Sequence, residues 1–427
     1  MLKKKLVNFR VAVKTTLMGN TLEWYDYASF GYFVPVIHQI FFPFLDNLSA
    51  VMQAFLIYGL GQITRPIGGI IFGFIADRWG RKTSLLISIV IMTVPIMVIA
   101  VMPTYLQIGI TAVYLFTAMR FIQGISAGGE LPVIATFLVE SSPRINRGFF
   151  GSFTLLGFII GLIFGLFEFS LIHLNMSQET LYDWGWRLPY IIGILIGGVC
   201  YYLRRGLSES PLYSETEIRA TLSKHPFLQM LKKNKKAVVN LIGLTCLLTM
   251  SATLLLVTSK AYLVHYVKVP LGTALILDLF MLFIVLVLTP FMGKVSDRWG
   301  HRKIAQYAAI GFIIFSYPLY MLLNQGLLIS QMLAALGFAV LFSSYCAPLP
   351  LLCCDLFPTP IRASGIALGH NLAVAFFAGF SPFAAIYLIR KFHDPNIPAY
   401  FLMGAAIISL LSLINLKKHR LYLTIEA

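Results

Sequence analysis

Apolar segments of about 20 residues follow one another along this chain, each closed by a short charged or glycine-bearing stretch, and that succession constrains the fold most. Inside hydrocarbon every backbone N–H and C=O must find a partner within its own segment, so such segments span as helices. Hydrophobic residues make up 58% of the chain and charged residues 12%, against roughly 45–50% and 25% in soluble domains. The excess runs over the whole length, which excludes a soluble domain on a single anchor. The N-terminal stretch carries Lys3, Lys4, Lys5, Arg10 and Lys14 with no small-residue cleavage site, so it does not read as a removable signal peptide.

One charged turn occurs twice. Gly73-Phe-Ile-Ala-Asp-Arg-Trp-Gly-Arg-Lys82 returns as Gly293-Lys-Val-Ser-Asp-Arg-Trp-Gly-His-Arg-Lys303, with His301 inserted. A second pair recurs at nearly the same offset: Glu140, Pro143 and Arg147 match Asp355, Pro358 and Arg362. The chain therefore reads as parallel repeats related by an axis along the membrane normal, with a transport path between them. The net charge is +16, yet the basic residues alternate with the apolar segments and form no single patch, so they set topology and do not bind nucleic acid. About 26 of the 33 Lys and Arg fall in loops on the side of the N-terminus, with Lys268, Arg390 and Lys391 opposite, which predicts that both termini are cytoplasmic.

The doubled turn resembles the loop motif between helices two and three of the major facilitator superfamily, G-x-x-x-D-R-x-G-R-R/K. That resemblance implies an all-α membrane protein of twelve transmembrane helices in two pseudo-symmetric six-helix bundles. We expect bundles over residues 1–207 and 237–427, with a cytoplasmic linker over 208–236. Closer resemblances follow. Gly19-Asn-Thr-Leu-Glu-Trp-Tyr-Asp-Tyr27 is similar to the first-helix signature of the metabolite:proton symporter family, which takes up proline/betaine, α-ketoglutarate, citrate and shikimate. Met119-Arg-Phe-Ile-Gln-Gly-Ile-Ser-Ala-Gly-Gly-Glu130 resembles the fourth-helix motif R-x-x-Q-G with that family's G-G-E extension, and Asp183–Tyr190 and Arg204–Pro211 also match. The family implies the bacterial inner membrane, a small-molecule substrate and no cofactor beyond a coupling proton.

Charged side chains within apolar spans need a reason, since each costs roughly 2.5–3.5 kcal/mol on insertion scales when unpaired. Glu23 and Asp26 share one side of the first helix with Asn20 and Tyr27. Tyr58, Gln62 and Arg65 form a stripe on the second, and Arg120, Gln123 and Glu130 another on the fourth. Arginine stays charged, whereas a carboxylic acid in low dielectric can load and release a proton, so Arg120 near Glu130 or Asp26 would tune a proton site. The alternative is a static ion pair that locks two helices. We name Asp26, Glu130, Arg120 and Glu23 as candidate proton-coupling residues, and Tyr27, Tyr58, Gln62, Arg65, Gln123, Lys260 and Asn371 as candidate substrate contacts. Lys260 could instead snorkel toward water, and Asp278 could be its partner or a near-surface acid. The aromatic faces of Trp24, Tyr25, Tyr27 and Phe30 would suit a quaternary ammonium.

The repeated turns read as gate latches. Gly73, Asp77, Arg78, Gly80, Arg81 and Lys82 form the first, Asp297 and Arg298 belong to its copy, and Glu140, Arg147, Asp355 and Arg362 form interhelical latches beside them. Gly157, Gly161 and Gly165 give the fifth helix a close-packing face. That helix lacks the G-P-x-x-G-G pattern of the superfamily's antiporters, which disfavours the alternative of a proton-driven exporter. Glu168 near its outer end is expected to reach the surface, and the third helix to face lipid. The five cysteines have no metal-ligand spacing, and HExxH and P-loop motifs are absent, so the chain does not read as an enzyme. A passive channel would need a polar lining repeated around an axis. The expected activity is import of a small polar metabolite, a zwitterionic osmolyte or an organic acid, by a protein that works as a monomer.

Overall fold

A computed structural model describes residues 2–43, 47–219, 223, 226–416 and 422–425, with side chains from 13–43, 61–219, 223, 226–416 and 422–423. Twelve long helices organise it: α1 (Leu2–Phe41), α2 (Asn47–Trp79), α3 (Arg81–Val101), α4 (Ile110–Ser141), α5 (Arg144–Asn175) and α6 (Gly185–Arg205). A second set follows: α7 (Lys235–Val257), α8 (Leu271–Trp299), α9 (His301–Asn324), α10 (Leu328–Asp355), α11 (Thr359–Phe392) and α12 (Ile397–Asn415). Ten of these, α3 to α12, are long and apolar enough to cross a membrane by length and composition among the described residues. No strand occurs among the described residues.

Packing repeats with the sequence. In the first set α1 packs on α5, α2 on α4, and α3 on α6; in the second α7 packs on α11, α8 on α10, and α9 on α12. The two sets meet where α5 crosses α8 and where α11 crosses α2. Each set therefore contributes the same two helices to the seam. The outer faces remain apolar: Ile276, Leu279, Phe283, Val287 and Phe291 are exposed along one stripe of α8, as a lipid-facing helix requires. Helices α7 and α11 both pass through π-helical turns, Ala252–Val257 and Val374–Ala378. Such turns break the regular ladder and are frequent at functional positions in helices.

The glycine row of α5 packs against α1, as its four-residue spacing predicts. A Cβ on Gly161 would stand 2.7 Å from the Thr21 carbonyl oxygen and 2.7 Å from the Tyr25 nitrogen. Backbone cannot step aside as a flexible side chain can, so Gly161→Val is expected to push α1 and α5 apart. The predicted loss is about 1–3 kcal/mol or more, the range for overpacked interiors, read as a lower melting temperature in detergent.

Candidate functional site: buried ion pairs and a two-sided gate

Among the described residues, three arginine–carboxylate pairs lie inside the first set of helices away from the repeated turns. Arg65 on α2 donates to Glu23 on α1 at 2.7 Å, and its guanidinium stands 5.2 Å from the ring centroids of both Trp24 and Tyr27. Arg120 on α4 donates to Asp26 at 2.6 Å and to the Tyr190 hydroxyl at 3.2 Å. The same guanidinium lies 4.3 Å from the Phe30 centroid and 5.5 Å from that of Phe116. Arg204 at the end of α6 donates to both oxygens of Glu130, and also to the Leu85 carbonyl at 2.6 Å. Ser88 donates to Glu130 at 2.7 Å. Asp26 is 4% exposed and Arg120 6%, so both charges of that pair have left water and depend on each other.

The gate is built from the repeated turns. Asp77 accepts hydrogen bonds from the backbone N–H groups of Ala363 (3.1 Å) and Ser364 (2.8 Å) at the start of α11. Its counterpart Asp297 accepts from Gly148 (2.7 Å) and Phe149 (2.8 Å) near the start of α5. Each aspartate thus caps a helix N-terminus in the opposite set, where orphan N–H groups and the helix dipole favour an anion. The first glycine of each turn allows the approach: a Cβ on Gly73 would lie 2.8 Å from Ser364 Cα, and one on Gly293 2.8 Å from the Gly148 oxygen. Gly80 and Gly300 take φ values of 101° and 96°, which other residues rarely adopt.

Glu140 ties the two sides together. Arg81 holds it with two bonds of 3.1 and 3.0 Å, Arg362 from the other set donates at 2.8 Å, and Ser210 adds a fourth contact at 2.6 Å. Arg81 also donates to the Thr359 carbonyl at 2.9 Å. Asp355 and Arg147 instead clamp the backbone of Leu423, through its N–H at 2.9 Å and its carbonyl at 3.3 Å. The seam is closed on the side of these turns.

The family follows from comparison with known proteins. The model of the "Sugar (and other) transporter" family matches residues 11–242. A proline/betaine transporter of Salmonella typhimurium (strain LT2) is 30% identical over 418 residues, covering 96% of this chain and 83% of the relative. The chain belongs to the major facilitator superfamily. Within it, the metabolite:proton symporter family is the one its sequence and relatives support. A glycine betaine/proline/ectoine/pipecolic acid transporter of Dickeya dadantii (strain 3937) matches with the same identity and coverage. Among solved structures, the proton:xylose symporter XylE aligns with a TM-score of 0.79 at 19% identity, covering 97% of this chain and 96% of that one. The fucose:proton symporter FucP of E. coli aligns at 0.73 and 14%, covering 96% and 98%. These two show the superfamily's fold, and the protein is a membrane transporter, not an enzyme.

Several residues sit in this major facilitator fold otherwise than expected. Arg120 pairs with Asp26 and not with Glu130, which is taken by Arg204 at the end of α6. Glu168 does not reach the surface: it is 7% exposed, with Ser29 donating to one oxygen at 2.8 Å and the Tyr25 hydroxyl 2.6 Å from the other. The third helix is no uniform lipid-facing filler, since Ser84 and Ser88 are buried and bonded. Lys260 does not snorkel; its ammonium lies 3.4 Å from the Tyr32 ring centroid on α1, while Ser259 donates to the buried Asp278 at 2.6 Å. Asn371 donates to the Gly128 carbonyl at 2.6 Å across the seam, so in this closed state its amide is spent on α4.

Gln62 and Gln123 are buried, and the side chain of Gln123 lies beside the Asp26 carboxylate. The side chain of Tyr58 lies outside the described residues. Arg78 and Arg298 are exposed, and the backbone N–H of Lys82 bonds Glu209 at 3.1 Å. The aromatic faces read as a cation site are in part already covered by guanidinium groups, Arg65 at Trp24 and Tyr27, and Arg120 at Phe30.

Proposed function

We propose that this protein imports a small zwitterionic metabolite, of the proline or betaine type, together with a proton by alternating access. The observation that carries the reading is the buried Asp26–Arg120 pair, linking α1 to α4 inside one half of a two-part transporter. Proton binding to Asp26 would break the charged contact between α1 and α4 and leave Arg120 against the Tyr190 hydroxyl and its aromatic neighbours, so loading changes a helix–helix contact. Glu130, held by Arg204 and Ser88 between α3, α4 and α6, acts in this reading as a structural lock. Arg65 offers a cation between two aromatic rings, a pairing suited to the carboxylate and methylated ammonium ends of one zwitterion once Glu23 yields. The relatives named as proline/betaine transporters support the substrate class, and the structurally similar proton symporters support the coupling ion. The basic loops support an orientation in which both termini and the closed gate face the cytoplasm.

Uptake by proteoliposomes under an imposed inward proton gradient tests this, with radiolabelled proline, betaine, α-ketoglutarate and citrate offered in parallel. Gradient-dependent accumulation of the zwitterions is expected. Accumulation of the organic acids alone would reassign the substrate, and uptake indifferent to the gradient would remove the proton.

The gate carries its own prediction. Asp77→Asn weakens the anionic cap on α11 without removing the side chain, so the seam should open more readily. A cysteine placed at Ser364 should become more reactive toward a membrane-impermeant thiol reagent from the gate side, while substrate preference stays that of the wild type. A changed preference would contradict the separation of gate from site.

A further inference from the structure

We propose that Glu168 is a second proton-binding site of the first half, and that it holds its proton while the gate is closed. The argument counts protons. Tyr25 Oη stands 2.6 Å from Glu168 Oε1 and 2.9 Å from the Pro189 carbonyl oxygen, both within hydrogen-bond distance. A phenol has one O–H, and neither a carbonyl nor an ionised carboxylate has any, so one of these two contacts lacks a hydrogen unless the carboxyl supplies it. A neutral Glu168 completes the chain. It donates to Tyr25 Oη, Tyr25 donates to Pro189, and Ser29 donates to the second carboxyl oxygen at 2.8 Å.

The surroundings agree. No lysine, arginine or histidine lies within ion-pair distance of Glu168 among the described residues, and the group is buried. The titratable groups that act on it are the Tyr25 and Tyr190 hydroxyls and Asp26 on α1, and the charge of Asp26 is already neutralised by Arg120. An ionised Glu168 would therefore be an uncompensated charge inside the bundle. Release of the proton to water would leave a carboxylate with no cation beside it among the described residues. It would also leave either Glu168 Oε1 or the Pro189 carbonyl without a bond from Tyr25, loosening the tie between α1, α5 and α6.

The inference rests on the proton coupling proposed above for its role in the cycle, but the site itself is read from geometry and can be tested without transport. Infrared spectra of purified protein in detergent at neutral pH, in water and in deuterium oxide, should contain a deuterium-sensitive carbonyl band of a protonated carboxylic acid that Glu168→Gln removes. Glutamine keeps the shape and a donor, so the fold should survive. Tyr25→Phe retains the acid but removes its acceptor, and should shift the band to higher frequency. A Glu168→Gln spectrum identical to wild type, or a band unmoved in Tyr25→Phe, would overturn the assignment. Failure of proton-driven uptake in proteoliposomes would strike the transport reading and leave these spectra unchanged.

Discussion

Asp26→Asn is expected to end accumulation of substrate against its gradient while leaving exchange of internal for external substrate in place. One pH unit is worth about 1.4 kcal/mol to a one-proton symporter, which supports roughly tenfold accumulation. The variant should therefore fall from that value toward an equal concentration on both sides. Asparagine keeps the shape of a protonated aspartate and cannot cycle a proton, so the carrier resembles one fixed in its loaded form. Arg120 does not become an isolated charge in that state, because the Tyr190 hydroxyl and the faces of Phe30 and Phe116 remain beside it. Loss of exchange together with accumulation would place Asp26 in the movement of the halves and not in coupling.

The largest effect on stability is expected from Arg204→Leu. Arg204 is fully buried and donates to both oxygens of Glu130, so leucine leaves a carboxylate whose remaining polar partner among the described residues is the Ser88 hydroxyl. Breaking a buried pair from one side costs about 3–5 kcal/mol, whereas replacing both partners with apolar groups is often close to neutral. The double variant Arg204→Leu/Glu130→Leu should accordingly recover most of the melting temperature that the single variant loses in detergent. A double variant as unstable as the single would show that the arginine acts through its bond to the Leu85 carbonyl and its packing against Gly19 instead.

How far the sequence carried can be judged from particular residues. The two copies of the charged turn were legible because the same residues perform the same task twice: Asp77 and Asp297 each cap a helix of the other half, and glycines repeat where those helices touch. The glycine row of α5 was equally plain, since its spacing fixes one face. Partnerships were harder. Helical spacing places Arg120 and Glu130 on one stripe, but they lie about 15 Å apart along the axis, and each found its partner on another helix. Arg204 stands at the close of the sixth helix, and nothing in a one-dimensional pattern tells an arginine that meets water there from one that turns back into the bundle. Glu168 stood near the end of its apolar segment, where an acid commonly meets water; only the tyrosine and serine of α1 show that it does not. Asn371 is a polar group on a seam helix, and its partner across the seam is the backbone carbonyl of Gly128, which no residue pattern marks.

In the proposed cycle substrate and proton enter together, with Asp26 as the group that couples them. Its most direct test uses weakly buffered proteoliposomes containing an entrapped pH-sensitive dye and no imposed gradient, to which betaine or proline is added outside. Wild-type protein should acidify the lumen as substrate enters, and Asp26→Asn should carry substrate down its gradient with no pH change. Substrate entry without acidification in the wild type, or equal acidification in Asp26→Asn, would contradict the account.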